Sequence, residues 1–201
     1  MKTPIEVFSN WVDTGKDEGM EKNHFKPVMK MIDLYDIKTE FTCVDAGCGN
    51  GWLVEYLSKI NNCKKAIGVD GSSKMIAKAK KYSDNEFYCS DLLNWKPKDK
   101  VDVVFSMEVF YYFKKPQILI KHIHDSWIKN DGKLIMGIDH YYENEECHEW
   151  KKKINVDTME LIKIEEWKNF FNKSGFKNVK EYQFFPNKKW KGTLVIEGSK
   201  I

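Results

Sequence analysis

A glycine-rich turn after a short apolar segment is the part of the sequence best suited to chemistry. Phe41–Ala46 has the apolar character of a buried strand, and the turn reads Asp45-Ala46-Gly47-Cys48-Gly49-Asn50-Gly51. Glycine adopts positive φ angles and lets the backbone approach a ligand without interference from a Cβ atom. A dinucleotide site has the spacing Gly-x-Gly-x-x-Gly, but here Trp52 stands where the third glycine would be. The spacing predicts a ligand-binding turn and disfavours a nicotinamide oxidoreductase.

Two aspartates follow at the ends of the next two predicted strands. Asp70 closes the segment Lys65–Asp70, and Asp91 comes directly after Glu86–Ser90. A carboxylate at the end of the strand that follows a glycine turn accepts hydrogen bonds from both hydroxyl groups of a ribose. A strand-end aspartate without such a turn is most often a turn residue or a helix cap. The turn and Asp70 together therefore predict a nucleoside site.

This arrangement resembles the signature of class I S-adenosyl-L-methionine (SAM)-dependent methyltransferases, of the small UbiE-like or type 11-like kind. The resemblance covers residues 41–139 and is weak over 1–40 and 140–201. It implies SAM as the cofactor and S-adenosyl-L-homocysteine (SAH) as the product. SAM carries cationic ammonium and sulfonium groups and no phosphate, so a strand-end carboxylate such as Asp45 suits it better than the helix N-terminus that a pyrophosphate prefers.

The resemblance also implies which residues contact SAM. In the family, an aspartate at the place of Asp91 contacts the adenine amine, and the segment after the fourth strand lines the methionine arm. Met75 is placed to pack on the adenine, although a methionine at helical spacing is more often a core residue. The cofactor-binding residues expected on this basis are Asp45, Gly47, Cys48, Gly49, Gly51, Asp70, Gly71, Met75, Ser90, Asp91, Leu92, Ser106 and Met107.

The acceptor side has weaker signals. His140 follows the predicted strand Lys133–Ile138 and is a candidate general base, because an imidazole titrates near neutral pH. A loop histidine bonded to the backbone is an equal alternative. Acceptor-binding residues, which could instead be packing residues at the cleft rim, are predicted at Trp11, His24, Glu108, Tyr111, Tyr112 and Tyr142. His140, Cys147 and His148 have no second cluster to complete a zinc site, so no metal is predicted.

The elements that must position these residues form one predicted domain over 1–201. Strand and helix alternate five times, which calls for a mostly parallel sheet covered on both faces. We expect an α/β fold, a Rossmann-like three-layer αβα sandwich whose seven-stranded sheet has an antiparallel last strand. Residues 41–139 are the SAM-binding core, and 140–163 form an acceptor-side loop. Residues 1–24 are polar with glycine hinges, and they form either a lid over the cleft or a flexible arm.

Composition limits the partners. No segment approaches the roughly 20 apolar residues of a membrane span, and no apolar signal core follows the first residues, so a cytoplasmic location is expected. The five cysteines form no Cys-x-x-Cys pair, which argues against disulfides and zinc. The net charge is only +3, and all 33 basic residues are lysines. The absence of arginine disfavours a nucleic-acid partner, although a general lysine bias would explain it equally well.

The predicted function is transfer of a methyl group from SAM to nitrogen or oxygen of a small-molecule acceptor. The motifs Asn-Pro-Pro-Tyr, Asp-Pro-Pro-Tyr and Pro-Cys, which serve base-methylating relatives, are absent. Methyl transfer depends mainly on positioning donor and acceptor, so a catalytic residue is optional. An RNA or protein methyltransferase and a catalytically silent SAM- or SAH-binding protein are the alternatives. The acceptor and the oligomeric state stay open.

Overall fold

The computed structural model describes residues 1–201 and contains seven strands and seven α-helices. The strands are β1 (Phe41–Ala46), β2 (Cys63–Asp70), β3 (Glu86–Cys89), β4 (Val101–Met107), β5 (Ile128–Ile138), β6 (Lys177–Phe184) and β7 (Thr193–Ser199). The helices are α1 (Pro4–Thr14), α2 (Gly19–Tyr35), α3 (Trp52–Ser58), α4 (Ser73–Tyr82), α5 (Pro116–His122), α6 (Trp150–Ile154) and α7 (Ile164–Lys173).

The strands form one sheet in the order β3-β2-β1-β4-β5-β7-β6. Strands β1 to β5 pair in parallel, and β7 pairs antiparallel with both β5 and β6. The expected Rossmann-like sheet with an antiparallel last strand is therefore confirmed. The strand order reverses at β1, whose neighbours are β2 and β4, and ligands of such sheets bind at the carboxyl ends of the strands beside this switch point.

Successive residues of β1 face two different cores, because side chains alternate across a strand. Cys43 belongs to a cluster that includes apolar residues of α2, α3 and α4. Val44 belongs to the other cluster, which includes residues of α5 and α7 such as Leu119 and Trp167. Both clusters are buried, so the sheet lies between two layers of helices.

The N-terminal residues, expected to be a lid or a flexible arm, are helical. Thr3 caps α1 in a reciprocal pair: its hydroxyl accepts from the Glu6 N–H at 3.3 Å, and its own N–H donates to the Glu6 carboxylate at 2.7 Å. Pro4 occupies the first position of α1, where its missing N–H costs nothing. Helix α2 begins at Gly19, so residues 19–24 of that segment belong to it.

The C-terminal half follows the predicted order with shifted boundaries. Strand β5 begins at Ile128 instead of Lys133, and the acceptor-side loop 140–163 contains the short helix α6. Met159 of that loop is buried in the core. None of the helices combines the length and the apolar character that a membrane-spanning segment needs.

Candidate active site

The main cavity lies at the carboxyl ends of β1, β2, β4 and β5 and has a volume of about 430 Å³. Asp45, Asp70 and Met107 come from the strands themselves, and Asp139 follows β5 directly. Residues of α1 and α2 complete the wall. Because 17 of its 31 lining residues are hydrophobic, the cavity has a mainly apolar wall in which polar groups are set, as small-ligand sites do.

The glycine turn forms the wall between β1 and α3. Gly47 has a φ of +80°, and a Cβ atom there would lie 2.3 Å from a methyl carbon of Val109. Gly49 has a φ of +51°, and its Cβ would lie 2.6 Å from the terminal carbon of Met20. Gly47 therefore needs glycine for the backbone conformation and for the space, whereas Gly49 needs it for the backbone conformation, because the end of the Met20 side chain can move. A backbone that presents no side chain to the cavity is what close approach of a ligand requires.

Asp70 is held rigidly at the end of β2. One carboxylate oxygen accepts from the Gly49 N–H at 3.0 Å, and the other accepts from the Ser72 N–H at 2.8 Å. Burial raises the pKa of Asp70, and these two N–H donors oppose the rise. Each oxygen keeps a lone pair for a further donor, so the carboxylate is suited to two vicinal hydroxyl groups.

The other predicted nucleoside contacts line the same cavity. Asp91 is exposed, and its two oxygens accept from the Leu93 N–H at 3.0 Å and from the Asn94 amide at 2.7 Å. The predicted cofactor residues that the structure places on the cavity wall are Asp45, Gly47, Cys48, Gly49, Asp70, Gly71, Met75, Ser90, Asp91, Leu92 and Met107. The glycine turn lies beside the Asp70 carboxylate, which backbone N–H groups hold in place, and this arrangement fits the nucleoside of SAM.

Three titratable groups converge at the other end of the cavity. One side-chain polar atom from each of His24, Glu108 and Asp139 lies within 4.8 Å of the other two. One Glu108 oxygen accepts from the Tyr111 hydroxyl at 2.6 Å, and the other accepts from the Asp139 N–H. Glu108 has a φ of 62°, a conformation that costs a non-glycine residue about 1–3 kcal/mol. Such strain is typical of a position whose side chain is fixed for function.

The electrostatics of these three groups favour an added positive charge. Burial raises the pKa of Glu108 well above its ordinary range, and Asp139 raises it further. Burial also raises the pKa of Asp139 to about 6 and lowers that of His24. The Oδ1 atom of Asp139 is buried without a hydrogen-bond partner. A proton or a cationic ligand would stabilise two carboxylates placed this close together.

Aromatic side chains surround this acidic end. The ring of Phe8 lies 5.0 Å from that of Trp11 and 5.2 Å from that of Tyr112 in edge-to-face contacts. Tyr111 and Tyr112 lie 4.5 Å apart. The predicted acceptor residues on the cavity wall are thus Trp11, His24, Glu108, Tyr111 and Tyr112. The structure brings together groups from α1, α2 and the segment after β4.

His140 does not face the cavity, and the prediction that it does is wrong. Alternation along the chain after β5 turns Asp139 towards the cavity and His140 away from it. The imidazole is 1% exposed, its centroid lies 5.2 Å from the Tyr111 ring, and neither nitrogen makes a hydrogen bond. Burial lowers its pKa to about 4. His140 is a neutral packing residue.

Three further predictions fail on placement. Tyr142 is 48% exposed and lies outside the cavity wall, where its ring faces the ammonium of Lys163 at 5.1 Å. Ser106 is fully buried, and its hydroxyl donates to the Ala46 carbonyl at 2.7 Å. Gly51 also lies outside the wall, and a Cβ there would meet Phe87 at 2.7 Å. Ser106 and Gly51 support the turn from behind instead of contacting a ligand.

Several wall residues were absent from the sequence predictions. They include Phe8, Met20, Val109, Phe113, Asp139, Trp150 and Met159. Two signals could have found some of them. The Thr3-x-x-Glu6 capping box marks the start of α1 and thus the helix that carries Phe8. The period of two along β5 places Asp139 and His140 on opposite faces, so it marks Asp139 as the alternative to His140 without deciding between them.

Comparisons with known proteins agree with this site. A family profile described as a methyltransferase domain matches residues 3–181. Methyltransferase 235L of Invertebrate iridescent virus 6 is 29% identical over 66% of this chain and 49% of its own length. A methyltransferase solved in complex with the Haloferax volcanii Trm112 methyltransferase activator is 26% identical, with a TM-score of 0.84 and 96% coverage of both chains.

The N-methyltransferase NodS of Bradyrhizobium japonicum, solved with SAH, shares the fold at a TM-score of 0.68 and 16% identity over 87% of this chain and 86% of its own. The chain spans half or less of the length of the curated relatives it matches. The family profile covers most of the chain, including the glycine turn and Asp70, whose carboxylate accepts from the Gly49 N–H. The chain belongs to the methyltransferase-domain family, of the class I kind whose cofactor is SAM.

Proposed function

We propose that the protein transfers a methyl group from SAM to nitrogen or oxygen of a small-molecule acceptor. The observation that carries this proposal is the shape of the cavity. It runs without interruption from the nucleoside end at Asp70 to the polar end at Glu108, and α1 and α2 cover it. Its volume of about 430 Å³ is in the range of small-ligand sites. A macromolecular acceptor would need a more open cleft.

The residues at the polar end can serve the proton balance of the reaction. Bound SAM supplies an electrophilic methyl carbon, so a bond from the acceptor atom to carbon forms, the carbon–sulfur bond breaks, and its electron pair stays on sulfur in SAH. The acceptor loses one proton. His24, Glu108 and Asp139, which lie close together on the wall, are the groups that can accept this proton. The apolar wall excludes water and holds the acceptor in line with the donor.

A screen of acceptors tests this proposal. The protein is incubated with SAM and with small amines, alcohols and carboxylates, and in parallel with RNA and with unfolded protein, and SAH release is measured. We expect turnover with one small-molecule class and none with the macromolecules. Turnover on RNA or protein alone would contradict the proposal, and SAH formation in no arm would favour a silent binding protein.

We also propose that the N-terminal arm, residues 2–18, acts as a lid. Its first residue pairs with the acceptor-side loop, because Lys2 N–H donates to the Asn155 carbonyl at 2.9 Å. Its other end contacts the glycine turn, since the Asn50 amide donates to the Asp17 carbonyl at 3.0 Å. An arm fixed at both sides of a cavity must loosen at one end before a ligand enters or leaves.

Asp45 gives a prediction about pH. Burial raises the pKa of Asp45 to about 8, and the nearby Asp70 carboxylate acts in the same direction. The carboxyl is therefore mostly protonated in the free protein at neutral pH, and a cationic ammonium bound beside it would favour its ionised form. Binding of SAH then releases up to one proton, so its affinity should rise from about pH 6 to about pH 8, by at most about tenfold per pH unit.

Calorimetry of SAH binding in two buffers with different heats of ionisation measures that proton release. Asp45→Asn is the matched variant, because it keeps the shape and cannot ionise. We expect its affinity to be independent of pH over the same interval. An affinity of the unaltered protein that stays constant or falls with rising pH would refute the role of Asp45.

One comparison favours a protein partner as a second candidate. The methyltransferase solved with the Trm112 activator matches 96% of this chain, so a Trm112-type activator is a candidate partner here. Size-exclusion chromatography of the two proteins together tests the association. The acceptor screen is best run with and without such an activator. If the enzyme needs the activator, the small-molecule samples would show no SAH release in its absence.

A further inference from the structure

The acidic end of the cavity has no positive charge of its own. Lys16 is the only lysine on the wall, and it is an exposed residue of the N-terminal arm. Glu108 is fixed by hydrogen bonds from the Tyr111 hydroxyl at 2.6 Å and from the Asp139 N–H, and both donors are uncharged. Two neighbouring carboxylates in an apolar enclosure are expensive to keep ionised unless a cation joins them. The absence of a protein cation beside these carboxylates thus indicates that the acceptor supplies the positive charge.

The free hydrogen-bonding capacity at this end consists of acceptors. Asp139 has a buried Oδ1 atom without a partner, and each Glu108 oxygen keeps one lone pair after its existing bond. Burial lowers the pKa of His24 and so favours its neutral ring, which has one acceptor nitrogen. A ligand group with several N–H donors and a positive charge complements this set. A carboxylate ligand would be repelled by it, and an alcohol has a single donor.

The surrounding aromatic rings distinguish an ammonium group from a metal ion. Trp11, Tyr111 and Tyr112 line the same wall, and the Tyr111 hydroxyl donates to Glu108 at 2.6 Å. Aromatic faces attract alkylammonium groups and pack against their carbon atoms. A divalent metal prefers additional oxygen or nitrogen ligands and water, which an aromatic wall does not supply. The wall chemistry therefore favours an organic cation.

We propose that the methyl acceptor is a small amine, bound as its ammonium cation between the carboxylates of Glu108 and Asp139, with His24 as a third hydrogen-bond acceptor and aromatic rings beside its carbon skeleton. Before transfer, the ammonium gives one proton to Glu108, Asp139 or His24. The nitrogen then has a lone pair to form the nitrogen–carbon bond as the carbon–sulfur bond breaks and its electron pair stays on sulfur. This inference rests on the proposed small-molecule methyltransferase function and specifies its acceptor class.

The test measures binding to the SAH-loaded protein by calorimetry. The probes are aliphatic and aromatic primary amines, each paired with the alcohol and the carboxylate of the same skeleton, and MgCl₂, MnCl₂ and ZnCl₂ alone. We expect at least one amine to bind at least about tenfold more tightly than both of its counterparts. Each of Glu108→Gln and Asp139→Asn should weaken that amine at least about tenfold while SAH affinity stays the same.

The variants are chosen so that the fold survives. A glutamine at 108 can still accept from the Asp139 N–H and pair with the Tyr111 hydroxyl, so its carbonyl and amide replace the two existing bonds. Glu165→Gln is the matched control, because Glu165 lies exposed on α7, outside the cavity wall. It makes the same chemical change, and we expect amine affinity within about twofold of the unaltered protein.

The outcomes separate the two proposals. If no amine in the panel binds, if carboxylates or alcohols bind as well as amines, or if a metal ion alone binds with micromolar affinity that needs Glu108 and Asp139, the amine inference is overturned. If hydroxyl acceptors are methylated while amines do not bind, the proposed function stands and the inference falls. If amines bind through Glu108 and Asp139 but SAH never forms, the amine site stands and the proposed function falls.

Discussion

Replacing Asp70 with alanine is expected to abolish measurable SAH and SAM binding while the protein stays folded. The Asp70 carboxylate is the group at the end of β2 suited to two ribose hydroxyls, and hydrogen bonds to a charged group contribute about 1.5–3 kcal/mol each. Loss of two such bonds costs about 3–6 kcal/mol, which is at least about a 100-fold rise in Kd. The same carboxylate also anchors the glycine turn through Gly49. The turn would lose this anchor, so the loss of affinity should reach the upper part of that range.

The fold should tolerate the change. The substitution leaves the Gly49 and Ser72 N–H groups without their acceptor, but it also removes a buried carboxylate whose pKa burial has raised. These effects oppose each other in the ligand-free protein. We therefore expect a far-ultraviolet circular dichroism spectrum like that of the unaltered protein and a Tm within a few degrees of it. Calorimetry with SAH then measures the binding loss.

Asp84→Ala is the matched control for this experiment. Asp84 is an exposed aspartate just after α4 and lies outside the cavity wall, so its removal should leave SAH affinity unchanged. An Asp70→Ala protein that is folded and binds SAH within about twofold of the original would show that Asp70 does not hold the ribose.

The cofactor half of the site was predictable because its signals are local. A strand, a glycine turn and a helix follow one another directly from Phe41 to Ser58, and Asp70 closes the next strand. Each of these patterns has its own period or its own backbone requirement, so one sequence suffices to find them. The sheet order then brings the two strand ends together without further information, since parallel neighbours share a carboxyl edge.

The acceptor half of the site depends on which face of a strand each residue occupies and on packing between distant segments. Neither is evident from the sequence. At the end of β5 a shift of one residue decides whether His140 or Asp139 faces the cavity, because neighbouring side chains point to opposite faces. The sequence contains both residues but does not show which one faces inward. The role of His24 depends on where α2 docks, about a hundred residues away along the chain from Asp139. Only the tertiary structure brings these groups within 4.8 Å.

Deleting residues 1–18 is expected to lower turnover at least about 100-fold while the sheet remains folded. The deleted residues supply part of the cavity wall, namely Thr3, Pro4, Ile5, Phe8, Trp11 and Lys16. Without them, water reaches the acceptor end and the acceptor loses one side of its aromatic surroundings. Apart from Val7, the apolar side chains of α1 are not fully buried, so the core should survive the deletion. SAH release at saturating SAM measures the loss, and circular dichroism reports on the fold.

Point variants test the lid at the C-terminal end of the arm. Two aspartates of the arm, one buried and one exposed, each pair with a lysine and can be compared. Asp17 is fully buried, and it pairs with Lys78 at 2.8 Å and accepts from the Asn50 amide at 3.2 Å. Asp13 lies on the same arm and pairs with Lys74 at 2.6 Å, but both partners are about half exposed. A buried pair loses about 1–3 kcal/mol when one charge is removed and its partner is left poorly satisfied, whereas an exposed pair contributes about 0–1 kcal/mol.

Asp17→Asn should therefore loosen the arm, and Asp13→Asn should not. We expect Asp17→Asn to speed the release of SAH and to expose the arm to limited proteolysis between α1 and α2, where Gly15 and Gly19 flank the turn. Asp13→Asn, the same chemical change on the exposed pair, should leave both measurements as they are in the original protein. Stopped-flow displacement of SAH gives the release rate. Equal release rates for the two variants would show that the arm is a passive wall, because a lid has to govern how fast the ligand leaves. Full activity after removal of residues 1–18 would show that the arm is neither a lid nor a necessary part of the wall.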